Sequence, residues 1–313
     1  MLTARLLRIR CCRLTRSSLF ERCRPFIGFL CLINVFALPG ISAAQVPQLN
    51  DIVKFQLRDG YLILVQTRIN GVGPFAFLLD TGTTRTVIDP DLAQQLHAPV
   101  IGEVSLTGVL HVRRDQLVRL EEVRLGEASL AGVGAVVDKL TRQKTLAPGI
   151  RGVLGEDFLS KFDILIDYKL HWLRFGDAPP AGERCRFETI GQYHGSPTTN
   201  RLLITAEFVE ASGAKMQLQL DTGAKMLELF PFPHDSLLSQ PWDESMATSA
   251  GASGVTIHFN RTIKIGTNMV RRMDVVQSRR AVAFDAAGLL PAAIFRRIYI
   301  SHSGGFVVLD PPE

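Results

Sequence analysis

Alternating apolar and polar positions predict a β-hairpin in front of the first Asp-Thr-Gly of the chain. Residues 61–68 alternate as expected for a half-buried strand, and residues 70–74 form a turn rich in glycine. The apolar residues 75–79 then return as a second strand. This strand ends at Asp80, so the hairpin delivers a carboxylate to the end of an apolar strand.

The same plan occurs a second time, with the second Asp-Thr-Gly 141 positions after the first. Residues 202–209 predict a strand, residues 210–213 a turn, and residues 215–220 a return strand. This second return strand ends at Asp221. The chain therefore contains one hairpin unit written twice, each copy leading to an aspartate.

Each unit also closes in a similar way. Residues 151–159 predict an apolar strand, a glycine and a short helix, followed by a hairpin over residues 164–175. The later copy covers residues 288–295, and its hairpin covers residues 298–309. The repeated order of segments predicts two similar lobes.

Frequent turns, and the absence of any long segment with a 3.6-residue period, predict an all-β protein with few, short helices. One such helix is expected between Asp89, which can cap it, and His97. Residues 176–182 have the composition of a linker. We therefore predict an N-terminal lobe over residues 45–178 and a C-terminal lobe over residues 179–313.

The first 44 residues differ from the rest and are expected to form a signal peptide. Seven arginines precede the apolar residues 26–38, and the small residues Ser42-Ala43-Ala44 suggest cleavage after Ala44. We therefore expect export to the periplasm or secretion from the cell. The alternative is that residues 26–38 stay uncleaved as a membrane anchor.

Removal of the leader changes both the charge and the cysteine content. The leader holds seven of the 35 basic residues and one of the 30 acidic residues, which leaves 28 basic against 29 acidic. A chain so close to neutral gives no argument for nucleic acid as a partner. Cys185 is the one cysteine outside the leader, so no intramolecular disulfide is expected, and the histidines show no metal-ligand spacing.

Two carboxylates at the ends of apolar strands suggest a paired site. An ionised group near apolar neighbours has to be hydrogen-bonded or paired. Two carboxyl groups about 3 Å apart cannot both ionise cheaply, so such a pair holds one proton over a broad pH range. The pair then offers an acid and a base to one water molecule, without a cofactor, a metal or a covalent intermediate.

The doubled Asp-Thr-Gly resembles the pepsin-like and retroviral-type aspartic proteases, in their single-chain form with two lobes. The resemblance implies two similar β-barrel lobes with a cleft between them. It implies an aspartic endopeptidase in which Asp80 and Asp221 activate water, and in which Thr81 and Thr222 exchange hydrogen bonds between the lobes.

The residues after each threonine have expected supporting roles. The resemblance implies that Gly82 and Gly223 let the backbone approach the carboxylates and donate amide hydrogens to them. The next position differs, with Thr83 in the first copy and Ala224 in the second. Because only Thr83 carries a hydroxyl that can stabilise an ionised aspartate, we expect the pair to be asymmetric.

The resemblance also implies the partner. An extended peptide or unfolded protein would lie between the lobes under a flap hairpin, and the chain would act as a monomer with an internal pseudo-twofold axis. Residues 103–114 and 247–254 are the flap candidates. The first of these contains no tyrosine, so the resemblance leans toward the retroviral-type and bacterial single-chain members.

The second copy departs from the family pattern in two places. Leu289-Leu290-Pro291 stands where two apolar residues and a glycine are expected, and Lys225 directly follows the Asp221 loop. These departures leave open a different function, a catalytically inactive peptide-binding or regulatory module of the same fold. Loss of hydrolysis on substitution of either aspartate would favour the enzyme.

Overall fold

The computed structural model describes ten stretches of the chain, all within one compact unit, Val46–Glu313. They are residues 52–107, 112–139, 149–188, 192–193, 196–197, 201–209, 214–230, 245–247, 254–278 and 286–310. The expected signal peptide, its cleavage site and the alternative anchor lie outside these stretches. Within them, no helix has the length and apolar character needed to cross a membrane.

The described residues are mostly β-strand, as the sequence predicts, and the α-helices among them are short. The first half contains two such helices, α1 (Pro90–Gln95) and α2 (Glu156–Leu159). Its strands are β1 (Ile52–Lys54), β2 (Gln56–Arg58), β3 (Leu62–Ile69), β4 (Val72–Leu79), β5 (Val87–Ile88), β6 (Val100–Thr107), β7 (Val112–Leu125), β8 (Ala128–Val137), β9 (Ile150–Leu154), β10 (Ile164–Asp167) and β11 (Trp172–Phe175).

The second half repeats this order with a short 3-10 helix, Ala292–Ile294, where the first half has α2. Its strands are β12 (Cys185–Glu188), β13 (Gln192–Tyr193), β14 (Ser196–Pro197), β15 (Leu203–Phe208), β16 (Ala214–Asp221), β17 (Leu227–Leu229), β18 (Ser245–Ala247), β19 (Gly254–Ile265), β20 (Asn268–Ser278), β21 (Gly288–Pro291), β22 (Arg297–Ser301) and β23 (Phe306–Asp310).

Six strands of the first half close into a barrel, which we call the first barrel. The ring runs β3-β4-β9-β5-β8-β7, and pairing of β7 with β3 closes it. The strand β4 pairs with β3 in antiparallel fashion and with β9 in parallel. Closure leaves no edge in the ring and encloses an apolar core that includes Phe77, Ile88 and Leu120.

The second barrel has the same ring order. It runs β15-β16-β21-β17-β20-β19, and pairing of β19 with β15 closes it. Here β16 takes the place of β4, because it pairs with β15 in antiparallel fashion and with β21 in parallel. The two barrels therefore hold their aspartate-bearing strands in the same setting.

A six-stranded sheet, in the order β1-β11-β10-β22-β23-β12, joins the two halves. Its centre is the antiparallel pair β10 and β22, in which Ile164 lies opposite Ile300, Leu165 opposite Tyr299 and Ile166 opposite Ile298. The equivalent strands of the two halves thus pair with each other about a local twofold axis near Leu165 and Tyr299. Residues 176–182 connect β11 to β12, but the exact lobe boundary stays a prediction.

The local predictions agree closely with these elements. The strands predicted over residues 61–68 and 202–209 are β3 and β15, and the strands predicted over residues 75–79 and 215–220 are β4 and β16. The predicted cap is also present, since the Asp89 carboxylate accepts a hydrogen bond from Leu92 N at 2.7 Å. The helix that it caps is shorter than predicted and ends at Gln95 rather than His97.

Candidate active site

The two aspartates lie at the ends of the central strands β4 and β16. Asp80 directly follows β4, and its N–H donates to Leu154 O on β9 at 3.0 Å. Asp221 is the last residue of β16 and lies opposite Pro291 on β21. Each aspartate therefore lies where a parallel pair of strands ends, which fixes its backbone from both sides.

Thr81 and Thr222 bind each other's loops through four buried hydrogen bonds. The Thr81 hydroxyl donates to Leu220 O at 2.9 Å and accepts from Thr222 N at 3.1 Å. The Thr222 hydroxyl donates to Leu79 O at 2.8 Å and accepts from Thr81 N at 3.0 Å. This reciprocal exchange fixes the separation of the two aspartate loops.

The glycine of each loop packs against the aspartate of the other. Gly82 N donates to Oδ1 of Asp80 at 2.8 Å, and Gly223 N donates to Oδ1 of Asp221 at 2.6 Å. A Cβ on Gly82 would overlap the carboxyl of Asp221, and a Cβ on Gly223 would lie 2.9 Å from Oδ1 of Asp80. Side chains at these two positions would therefore force the aspartates apart.

The two carboxyl groups lie close together, since each packs against the glycine of the other loop, and they differ in surroundings. Thr83 Oγ1 donates to Oδ2 of Asp80 at 2.7 Å, while Ala224 contributes only its backbone N–H to Asp221. Burial, followed by the charge of Asp80, raises the pKa of Asp221 well above its usual value. The surroundings of the two members of the pair are therefore not equivalent.

Gln219 is a site residue that the sequence reasoning missed. Its side chain is fully buried on β16, and its Nε2 donates to Gly82 O at 3.0 Å and to Thr81 O at 3.3 Å. It thus adds a further link from the second barrel to the Asp80 loop. Alternation along β16 places Gln219 on the same side of the strand as Lys215 and Gln217, so no signal in the sequence pattern marked it as a site residue.

The flap candidates are described only in part. The segment 103–114 falls in the hairpin of β6 and β7, and its tip, residues 108–111, lies outside the described residues. In the second half β18 pairs with β19, and residues 248–253 between them also lie outside. Among the described residues, no group of three or more potential ligands is arranged to hold a metal ion.

Comparison with known proteins adds one finding about the first half of the site. No curated protein matches the chain. A family model described as aspartyl protease matches residues 65–158, which include the whole Asp80 loop, β9 and the first three residues of α2. This part of the chain is therefore similar to aspartyl proteases.

Proposed function

We propose that the chain is an aspartic endopeptidase that hydrolyses peptide bonds with a water molecule held between Asp80 and Asp221. The proposal depends on the packing of each aspartate carboxyl against the glycine of the other loop, which brings the two carboxyl groups close together. The threonine exchange supports it, because it holds the pair at a fixed separation. The match of residues 65–158 to an aspartyl protease model supports the same chemistry.

The asymmetry of the pair suggests a division of roles. Asp80 accepts hydrogen bonds from Gly82 N and Thr83 Oγ1, which favour its ionised form. It would take a proton from water as the water oxygen bonds to the scissile carbonyl carbon. Asp221 would give its proton to the carbonyl oxygen. Collapse of the tetrahedral intermediate would return the hydroxyl proton to Asp221 and pass the proton on Asp80 to the leaving amine.

The departure at Pro291 does not disturb this arrangement. In the second barrel β21 pairs with β16 in parallel, with Leu220 opposite Leu290, as Leu79 lies opposite Leu154 in the first barrel. The change from glycine to proline therefore leaves the strand pairing next to Asp221 intact, and this supports the enzyme over the inactive module.

Hydrolysis of an unfolded protein tests the proposal. We expect cleavage that a statine-type inhibitor blocks, and that Asp80→Asn and Asp221→Asn each reduce by at least about a thousandfold, because one carboxyl cannot supply both acid and base. Asp91→Asn, an exposed change in the first turn of α1, should leave cleavage unchanged. Peptide binding without hydrolysis in the unsubstituted protein would instead support the peptide-binding module.

We further propose an exported protein that acts on extended peptides as a monomer. The single chain supplies both aspartates, so the paired site needs no second copy. Fractionation of cells that express the full chain, with the amino terminus of the product sequenced, tests export and cleavage after Ala44. An amino terminus at Met1 in the membrane fraction would instead support the uncleaved anchor.

A further inference from the structure

A buried glutamate and histidine lie next to Asp80, in a part of the molecule that the proposed chemistry does not use. Glu156 is the first residue of α2 and is 1% exposed. His302 is the first residue after β22 and comes from the second half of the chain. Its Nε2 lies 3.0 Å from Oε2 of Glu156, and its Nδ1 lies 2.7 Å from Phe162 O.

The contacts of this pair fix the number of protons that it holds. Because a carbonyl oxygen can only accept, Nδ1 of His302 carries a hydrogen. One further proton then lies between Nε2 and Oε2, either as imidazolium with carboxylate or as imidazole with carboxylic acid. Both forms are neutral overall, so the pair adds no net charge beneath Asp80 while it holds this proton.

A path of hydrogen bonds leads from the pair to Asp80. Glu156 N donates to Thr83 O at 2.8 Å, and Thr83 Oγ1 donates to Oδ2 of Asp80 at 2.7 Å. His302 holds the Glu156 side chain, and the Glu156 backbone holds the Thr83 loop. The hydroxyl of Thr83 is therefore kept in place by contacts that begin at a residue from the second half of the chain.

The equivalent positions on the Asp221 side carry none of these three side chains. Under the local twofold axis, Ala224 takes the place of Thr83, since each is the third residue after its aspartate. Ala292, the first residue of the 3-10 helix, takes the place of Glu156. Tyr168, the first residue after β10, takes the place of His302. The whole path thus exists on the Asp80 side and is missing on the Asp221 side.

We propose that Glu156 and His302 are positioning residues that hold the Thr83 hydroxyl against Asp80 and so favour Asp80 as the ionised member of the pair. The proposal rests on the proposed aspartic protease function. The proposal gives a chemical role to a pair of residues that come from different halves of the chain. It also explains why Thr83, Glu156 and His302, which all differ from their counterparts, lie along one path of contacts.

A negative charge on Glu156 and a well-placed Thr83 hydroxyl would shift the titration of Asp80 in opposite directions. The direction of the shift in a variant therefore distinguishes the two effects. Asp80 and Asp157 face Glu156, and Asp163 faces His302. A negative charge on Glu156 would make ionisation of Asp80 harder, whereas a well-placed Thr83 hydroxyl makes it easier. Removal of the pair therefore shifts the titration in opposite directions under the two explanations.

The test uses substitutions whose new side chains already occur at the equivalent positions on the Asp221 side. The double variant Glu156→Ala with His302→Tyr introduces the side chains of Ala292 and Tyr168. It is compared with Thr83→Ala and with the variant that combines all three changes. The protein is labelled with ¹³C-aspartate, and the Cγ chemical shifts give the lower titration midpoint of the Asp80 and Asp221 pair. The acid limb of the pH profile of kcat/KM is measured as a second readout.

We expect the double variant to raise the lower midpoint and the acid limb by about one pH unit, the size of effect produced by loss of one hydrogen bond to a carboxylate. Thr83→Ala should give a similar rise, and the combined variant should give no more than Thr83→Ala alone. Glu156→Gln, which can still donate to His302, should stay close to the unsubstituted protein. Arg124→Gln, which breaks an exposed ion pair with Glu122, should have no effect.

Three results would overturn the proposal: a midpoint that does not move, a midpoint that falls, or shifts that add in the combined variant. A fall in Glu156→Gln would show that Glu156 acts through its charge. The Cγ titration does not depend on turnover. If the midpoint shifts as expected but the protein hydrolyses no peptide, the positioning role stands and the protease function is rejected.

Discussion

Thr81 and Thr222 show how a single hydroxyl can hold two loops together. We expect Thr222→Val to lower the free energy of unfolding by about 2–4 kcal/mol, because valine keeps the shape but leaves Leu79 O and Thr81 N buried without a partner. Hydrolysis should fall by more than the loss of folded protein accounts for, since the aspartates lose their fixed separation. Chemical denaturation and peptide cleavage measure the two effects.

Thr205→Val is the matched control for this change. Thr205 is an exposed residue of β15, so its substitution should alter the free energy of unfolding by less than about 0.5 kcal/mol. Equal effects of the two substitutions would show that the hydrogen bonds of Thr222 contribute nothing beyond a surface threonine. Unchanged cleavage in Thr222→Val would show that the exchange does not position the aspartates.

At the residue scale, the sequence predicts the site residues that belong to the doubled motif and misses site residues that occur in one half only. The doubled motif points to Asp80 and Asp221, and the contrast of Thr83 with Ala224 points to their asymmetry. Glu156 and His302 give no such signal, because they lie 146 positions apart and neither residue type recurs at the equivalent position of the other half. Their contact depends on the way the two halves of the chain pack, which no local pattern contains.

Gly288 shows how one element depends on a residue without a side chain. It begins β21, the strand that pairs with β16 on one side and β17 on the other. A Cβ at this position would overlap Glu228 O on β17. We therefore expect Gly288→Ala to lower the free energy of unfolding by about 2–3 kcal/mol, because the backbone of β17 would have to move.

The control for this prediction is Gly134→Ala on β8. A Cβ there would meet the Leu117 side chain at 3.7 Å, an ordinary van der Waals contact. The free energy of unfolding, measured by thermal denaturation, should change by less than about 1 kcal/mol. Alanine can raise this free energy, because it restricts the conformations of the unfolded chain. A Gly288→Ala protein as stable as Gly134→Ala would show that β17 and β21 can separate without cost.

Local elements are predictable here because hairpins have local causes. Alternation and turn residues place β3, β4, β15 and β16 to within a few residues, and Asp89 with Pro90 places the start of α1. The parallel pairing of β4 with β9 joins segments about 74 residues apart, and the closing pairs β3–β7 and β15–β19 are similarly remote. Alternation along a strand does not specify which distant strand lies beside it.

The whole molecule combines two barrels of the same strand order with a site that is not symmetric. The central sheet pairs equivalent strands about the local axis, where Leu165 faces its own counterpart, Tyr299. A symmetric framework brings two identical loops together, and single differences such as Thr83 against Ala224 then distinguish them. The repeat thus brings the two aspartates together, and differences between the halves give them different surroundings.

Buried acids should make the folded protein most stable under acidic conditions. Burial raises the pKa of Glu156, Asp157, Asp221 and Glu228. The pKa of His302 is also raised, because its contact with Glu156 outweighs the opposing effect of burial. Groups with raised pKa values bind more protons when folded, so their contribution is fully present below the unfolded values and is lost as the pH rises through the folded values.

Glu228 isolates this effect, because burial alone raises its pKa. We expect calorimetry to give a higher Tm near pH 4.5 than at pH 7.5 for the unsubstituted protein. Glu228→Gln should raise the Tm at pH 7.5, because partial burial makes the carboxyl harder to ionise in the folded protein than in the unfolded chain, and it should change the Tm little well below the ordinary glutamate pKa. Glu183→Gln should lower the Tm at pH 7.5, since hydrogen bonds from Thr267 lower the pKa of this exposed carboxyl. An equal rise for Glu228→Gln at both pH values would assign the gain to packing instead of charge.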